Sequence, residues 1–235
     1  MTMAADPIRD WRDLLPVDVR RNCTDAIFRK TEQAYASRGR RYHSFQHIRA
    51  CLELARQIPF DHPECALLAL LLHDAVYVPG RNDNEELSAR FAGELLTFES
   101  RLEPRDIQQV ERMIRLTADH ASDGSGMSMD EKRVLDIDMS VLGGSWQEYL
   151  AYCGGVFGEF CPAVLDETLF RAGRCAFLER QLARPGIFLT LEFRATFEKA
   201  ARANIRRELD EILPAPGPLG AVIAMALGGL LGLTR

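Results

Sequence analysis

Residues 65–74 read Cys-Ala-Leu-Leu-Ala-Leu-Leu-Leu-His-Asp, an apolar run that ends in a histidine and an aspartate. A continuous run of eight apolar residues is typical of an element that is buried on every side. An imidazole and a carboxylate are costly to bury at such a place unless a partner satisfies them. Because neutral histidine and ionised aspartate are both good metal ligands, we expect a divalent cation to be the partner of His73 and Asp74.

Helical periodicity continues along most of the chain. Apolar residues recur at intervals of three and four, and strand-like alternation is almost absent, so the sequence predicts an all-α helical bundle. The predicted helices cover about 17–37, 46–57, 63–76, 84–98, 104–119, 129–142, 145–159, 163–184 and 190–211.

Length, charge and cysteine usage limit the class of protein. The 235 residues predict one domain over 1–213, followed by a linker rich in proline and glycine and an apolar tail over 214–235. A formal net charge of −5, without a basic stripe, argues against binding to a nucleic-acid polymer. The six cysteines form no Cys-x-x-Cys pair and follow no signal peptide, which predicts reduced thiols in a cytoplasmic protein.

The tail differs from the rest of the chain. Residues 219–233 contain no polar side chain. As a helix they would span about 22 Å, which is short of the roughly 30 Å hydrocarbon core of a bilayer. Three interpretations stay open: a membrane-associated tail, a segment for oligomerisation or docking, and a disordered end.

Two histidines precede the His73-Asp74 pair. They lie four residues apart in Arg41-Tyr-His-Ser-Phe-Gln-His-Ile48. That spacing would place His43 and His47 on one face of a helix, and a helix that begins only near Ser44 is the alternative.

Two aspartates follow the pair. Val134-Leu-Asp-Ile-Asp-Met-Ser-Val-Leu-Gly143 carries Asp136 and Asp138. On a helix these two side chains point apart, so only one of them is expected to reach an ion.

Four blocks in this order resemble the HD superfamily of metal-dependent phosphohydrolases. They are Tyr-His-x-x-x-His-Ile at 42–48, His-Asp-x-x-Tyr at 73–77, Asn-Glu-x-x-Ser-Ala at 84–89 and Asp-x-Asp-x-Ser-x-Leu-Gly at 136–143. The set looks closest to an uncharacterised bacterial branch, and its first block is also similar to the start of the catalytic domain of cyclic-nucleotide phosphodiesterases. The resemblance covers roughly residues 10–211 and implies an HD-domain-like helical bundle.

The resemblance implies metal ligation by His47, His73, Asp74 and Asp138. Asp138 is preferred to Asp136 because the last ligand of the superfamily typically follows a small or apolar residue and precedes an apolar one. An exposed acid or a cap is the alternative role for Asp136.

Two further residues match positions that have catalytic roles in related enzymes. His43 corresponds to a general acid that protonates the leaving oxygen, a role that suits an imidazole because its pKa lies near working pH. A structural histidine that caps the helix is the alternative. Glu85 resembles an acid that orients metal-bound water, although acids are also favoured in the first turn of any helix.

The implied reaction is hydrolysis of a small-molecule phosphomonoester or phosphodiester, nucleotides included, by metal-bound hydroxide. Mixed nitrogen and oxygen ligation suits Mn, Fe, Co, Ni or Zn, and Mg stays open. The candidates for contact with the substrate phosphate are Arg41, Arg81, His120 and either Arg171 or Arg174. His120 is also a candidate ligand of a second metal, and a surface role is the alternative for each of these residues.

Two other functions stay open. A metal-binding or ligand-binding module without turnover would keep the same ligands. A di-iron HD-type oxygenase would need further histidines between the His-Asp pair and the last aspartate, where the chain has only His120.

Overall fold

The computed structural model describes residues 11–213 and consists of helices and their connections. The main helices are α1 (Val17–Asn22), α2 (Asp25–Tyr35), α3 (Phe45–Ala55), α4 (Pro63–Leu72), α5 (Asn84–Glu99), α6 (Pro104–Leu116), α7 (Met129–Asp138), α8 (Trp146–Phe160), α9 (Glu167–Ala183) and α10 (Lys199–Glu211). A 3₁₀ helix (Met139–Gly143) follows α7, and a short helix (Leu191–Phe193) and a π-helix (Arg194–Glu198) precede α10. No strand occurs within 11–213, so the all-α prediction is confirmed for this part of the chain.

The described chain forms two compact units. The first comprises residues 11–77 together with Glu85–Thr117, and the second comprises Val78–Asn84 together with 118–213. The predicted hydrolase domain over 1–213 therefore takes in residues of both units.

The predicted linker and tail over 214–235 lie outside the described residues, and so does the apolar stretch 219–233. The three interpretations of that stretch stay predictions. Between residues 11 and 213, no helix has both the length and the apolar composition that crossing a membrane requires.

Helix α4 lies at the centre of the first unit. It begins at Pro63, which suits a first helical turn because its missing amide donor would have no partner there. Every residue from Cys65 to Leu72 is buried, and helices α3 and α6 pack against α4. The burial predicted from the apolar run is confirmed, and it carries His73 and Asp74 into the interior of the unit.

Helix α4 ends at Leu72, whereas the sequence predicts a helix that continues to about residue 76. The last carbonyls of any helix lack partners within it and need others. Three of them have partners here: Leu70 accepts from His73 Nδ1 at 2.9 Å, Leu71 from the Tyr35 hydroxyl at 3.0 Å, and Leu72 from the Ala75 amide at 3.0 Å. His73 therefore lies at the helix terminus and Asp74 lies beyond it.

The predicted helix over 17–37 is divided in two. The break falls at Cys23 and Thr24, where the Thr24 hydroxyl accepts a hydrogen bond from the Ala26 amide at 3.2 Å and so caps α2. Cys23 forms an isolated bridge with Ser100. The apolar spacing continues through the break, which is why periodicity alone predicts a single helix.

In the second unit, the 3₁₀ helix that follows α7 contacts α8 and α10, and α9 packs on α10. The Asn204 amide on α10 donates to the carbonyls of Leu142 and Gly144, both at 2.9 Å. These bonds fix the path of the chain directly after Asp138, the last residue of α7.

Candidate metal centre

Helix α3 places the His47 side chain in the interior of the first unit. The helix begins at Phe45 with Ser44 as its N-cap, so His47 lies in the first turn and is buried. His43 precedes the helix, and its ring centroid lies 6.3 Å from that of His47. The alternative of a helix that begins near Ser44 is therefore correct, and the two histidines do not share a helical face.

The terminus of α4 orients His73. Its Nδ1 lies 2.9 Å from the Leu70 carbonyl oxygen, which can only accept, so Nδ1 carries a proton. A neutral His73 then has its lone pair on Nε2. That atom lies 3.3 Å from Nε2 of His47, and metal-binding histidines are commonly oriented by a carbonyl in this way.

Asp74 completes the group within the first unit. Its Oδ2 lies 3.2 Å from His73 Nε2 and 3.8 Å from His47 Nε2. Burial acts to raise the pKa of Asp74, but the neighbouring imidazoles, above all His73 when protonated, outweigh it and hold the pKa below its ordinary value. The carboxylate is therefore ionised at neutral pH.

The three side chains form a donor set that fits a metal ion. Two ring nitrogens and one carboxylate oxygen converge at a buried point, and a cation bound between them would satisfy their lone pairs. The nitrogens of His47 and His73 are near enough to share one ion. Nitrogen and oxygen donors of this kind suit divalent transition ions.

The two downstream aspartates, both in the second unit, have different surroundings. Asp136 accepts hydrogen bonds from the amides of Leu189 and Thr190 at 2.7 and 2.8 Å and from the Thr190 hydroxyl at 2.7 Å. Asp138 lies 3.6 Å from His120 Nε2. The Asp136 carboxylate therefore caps a neighbouring backbone segment, which is the alternative role expected for it, and metal ligation by Asp138 stays a prediction.

An aromatic shell holds His43 in the first unit. Its ring stacks on Tyr77 with centroids 4.0 Å apart, and it meets the edge of Tyr42 at 4.9 Å. Tyr42 also contacts His47, with ring centroids 4.8 Å apart. A half-buried imidazole in a fixed orientation can donate and accept a proton, as a general acid must.

The remaining predicted residues lie on the surface or near it. Glu85 is half-exposed in the first turn of α5, and Arg41 is exposed. Arg81 forms a two-fold exposed ion pair with Asp83, both bonds measuring 2.7 Å. The structure thus joins the two histidines and the aspartate of the first unit, while the roles of Glu85, Arg41 and Arg81 stay predictions.

Arg174 lies in the interior of the second unit. It is buried and its guanidinium binds Glu208, with Nε 2.9 Å from Oε1. A guanidinium committed to a buried carboxylate is part of the core, so Arg174 is not available to a substrate phosphate. Arg171 is half-exposed and pairs with Glu167, one turn earlier on α9.

Two residues of the third sequence block have backbone partners that sequence reasoning does not predict. The Asn84 amide group bonds both the amide and the carbonyl of Val78, at 3.0 and 3.1 Å. The Ser88 hydroxyl bonds the amide and the carbonyl of Val76 at the same two distances. Asn84 and Ser88 lie one helical turn apart and so share a face of α5. This spacing is the signal that could have identified them as two side chains that bind the preceding backbone.

Comparison with known proteins gives no support for a family beyond the sequence blocks described above. Membership of the HD superfamily is therefore a prediction from the blocks that contain His47, the His73-Asp74 pair and Asp138. No protein-family model, curated protein or solved structure matches this chain.

Proposed function

We propose that this protein is a metal-dependent phosphohydrolase that cleaves a small phosphomonoester or phosphodiester. The observation that carries the proposal is the convergence of His47 Nε2, His73 Nε2 and Asp74 Oδ2, which lie 3.2 to 3.8 Å apart in a buried setting. Buried lone pairs of this type are characteristic of metal ligands.

His47, His73 and Asp74 hold the ion in this proposal, and Asp138 is the proposed fourth ligand from its sequence block. A divalent ion there would supply Lewis acidity to a phosphate oxygen and to water. Mn, Fe, Co, Ni and Zn suit these donors, and Mg is also compatible.

His43 is the proposed proton donor to the leaving oxygen. Its stacking on Tyr77 restricts the rotation of the imidazole, so that the acid is already oriented when substrate binds. Glu85 is proposed to orient water, and Arg41, Arg81 and His120 are proposed to meet the phosphate.

The test combines metal content with turnover. Elemental analysis is paired with nitrophenol release from p-nitrophenyl phosphate and from bis(p-nitrophenyl) phosphate, with Mn, Co, Ni, Zn and Mg each supplied separately. We expect His73→Ala and Asp74→Ala to lose the ion and the release together. The exposed His62, changed to alanine, is the matched control in the same unit and should retain both.

Two results would overturn the proposal. A stably bound ion without release of product from either ester points to a binding module. Two irons per chain with oxygen uptake and no ester cleavage points to an oxygenase.

A further inference from the structure

The guanidinium of Arg40 joins two segments of the first unit. Its Nη1 donates to the carbonyl of His43 at 2.8 Å and to the carbonyl of Asp74 at 2.7 Å. Its Nη2 donates to the carbonyl of Ala75 at 2.9 Å, and its Nε donates to the Ser37 hydroxyl at 2.7 Å. One side chain thus binds the backbone beside the proposed acid and the backbone of a proposed ligand.

Two aromatic rings contact the Arg40 guanidinium. The guanidinium carbon lies 5.0 Å from the ring centroid of Tyr35 and 5.6 Å from that of Tyr77. Tyr77 in turn stacks on the His43 imidazole, and the Tyr35 hydroxyl bonds the Leu71 carbonyl. Arg40 therefore contacts the residues that hold the ring of His43 and the end of α4.

The donors of Arg40 are committed to the chain itself. A guanidinium has five N–H groups. Those of Arg40 donate four hydrogen bonds, one each to Ser37, His43, Asp74 and Ala75. The guanidinium places its donors on three nitrogens in a fixed plane and can span separate carbonyls, whereas the ammonium of a lysine has its three donors on one atom and reaches fewer of them at once. This geometry is that of a clamp and not of a phosphate-binding arginine.

We infer that Arg40 is a positioning residue of the metal centre, which fixes the segment carrying Asp74 against the segment carrying His43. The inference rests on the metal centre proposed above and adds a residue that does not itself bind the ion. The turn directly before it contains Gly39, whose φ of 95° is one that other residues rarely adopt.

The test measures Co(II) binding to the full chain, by competition with a chelator and by the visible d–d spectrum. We expect Arg40→Ala to bind Co(II) about 10-fold more weakly or worse, the usual effect of removing a group that orients a ligand. Arg40→Lys should recover part of the affinity and show an altered spectrum. Arg49→Ala is the control, because Arg49 lies on α3 with His47 but pairs with the exposed Glu53.

Each variant is measured well below its unfolding temperature, with its helical content checked by circular dichroism. Wild-type affinity and spectrum in a folded Arg40→Ala protein would overturn the inference. If that variant does not fold, Arg40→Lys decides, and wild-type Co(II) affinity in it has the same meaning. A wild-type chain that binds no Co(II), Mn(II) or Zn(II) would refute the metal centre itself, which is a different outcome.

Discussion

Arg174 and Glu208 form a buried ion pair between α9 and α10, with Nε 2.9 Å from Oε1 and Nη2 3.1 Å from Oε2. The Tyr149 hydroxyl also donates to Glu208, and the Tyr152 hydroxyl accepts from Arg174. Removing one partner of such a pair is costly, because the other charge then stays buried without compensation.

Replacement of Glu208 by glutamine is expected to lower the free energy of unfolding by about 3–5 kcal/mol, because Arg174 is left buried without a counter-charge. Urea unfolding followed by circular dichroism measures the change. Glu211→Gln is the matched control, since Glu211 and its partner Arg207 are both exposed, and it should cost less than about 1 kcal/mol. Equal effects of the two substitutions would contradict this account of the pair.

The contribution of Glu208 is also expected to depend on pH. Burial acts to raise the pKa of Glu208, but the charge and hydrogen bonds of Arg174 outweigh it, so the pKa lies below its ordinary value of 4.5. A carboxyl group whose pKa is lowered by folding stabilises the folded state. The contribution is complete above the pKa of the group in the unfolded chain, and it is lost as pH falls through the folded-state pKa. The stability difference between wild type and Glu208→Gln should therefore be constant near neutral pH and shrink below about pH 4. A difference that grows in acid would contradict the sign.

Thr31 offers a stabilising substitution in the first unit. Its hydroxyl is buried on α2 and has no hydrogen-bond partner among residues 11–213. Because an unpaired buried hydroxyl costs about 1–3 kcal/mol, Thr31→Val should raise the thermal unfolding midpoint. Thr31→Ala separates loss of the hydroxyl from loss of the methyl group, and it should be less stable than the valine variant.

Metal removal is expected to destabilise the wild-type protein. An ion that binds only the folded state stabilises it by mass action, by about 2.7 kcal/mol at a free concentration of 100 times its dissociation constant. Chelation should therefore lower the unfolding midpoint of the wild type and of His62→Ala. The midpoint of His73→Ala should be the same with and without chelator, and a shift there would place the ion elsewhere.

Helix content follows largely from the sequence, because the periodicity of apolar residues is a pattern that extends over many positions. The run from Cys65 to Leu72 predicts a buried helix, and α4 is one. Its end at Leu72 is not predictable in the same way, since it depends on Tyr35 and Arg40, which come from a distant part of the chain.

The role of a side chain depends on where it points in the folded protein, and the spacing of residues in the sequence predicts this only in part. Arg40 and Arg41 are adjacent arginines, yet the first donates to three carbonyls and the second is exposed. Asp136 and Asp138 likewise have different neighbours, because the first accepts a hydrogen bond from the amide of Thr190 and the second lies 3.6 Å from His120 Nε2. The sequence shows which functional group each of these residues carries, and the tertiary contacts show what each group binds.

Helix α4 is surrounded by protein from Cys65 to Leu72. Amide hydrogens of such a helix exchange with solvent only when the surrounding unit opens, so α4 should be among the slowest-exchanging elements of the first unit. His73 and Asp74 are attached directly to its end and therefore to the backbone that opens most rarely. As proposed metal ligands, these two side chains therefore sit on a support that keeps their donor atoms in place, as a preorganised binding site requires.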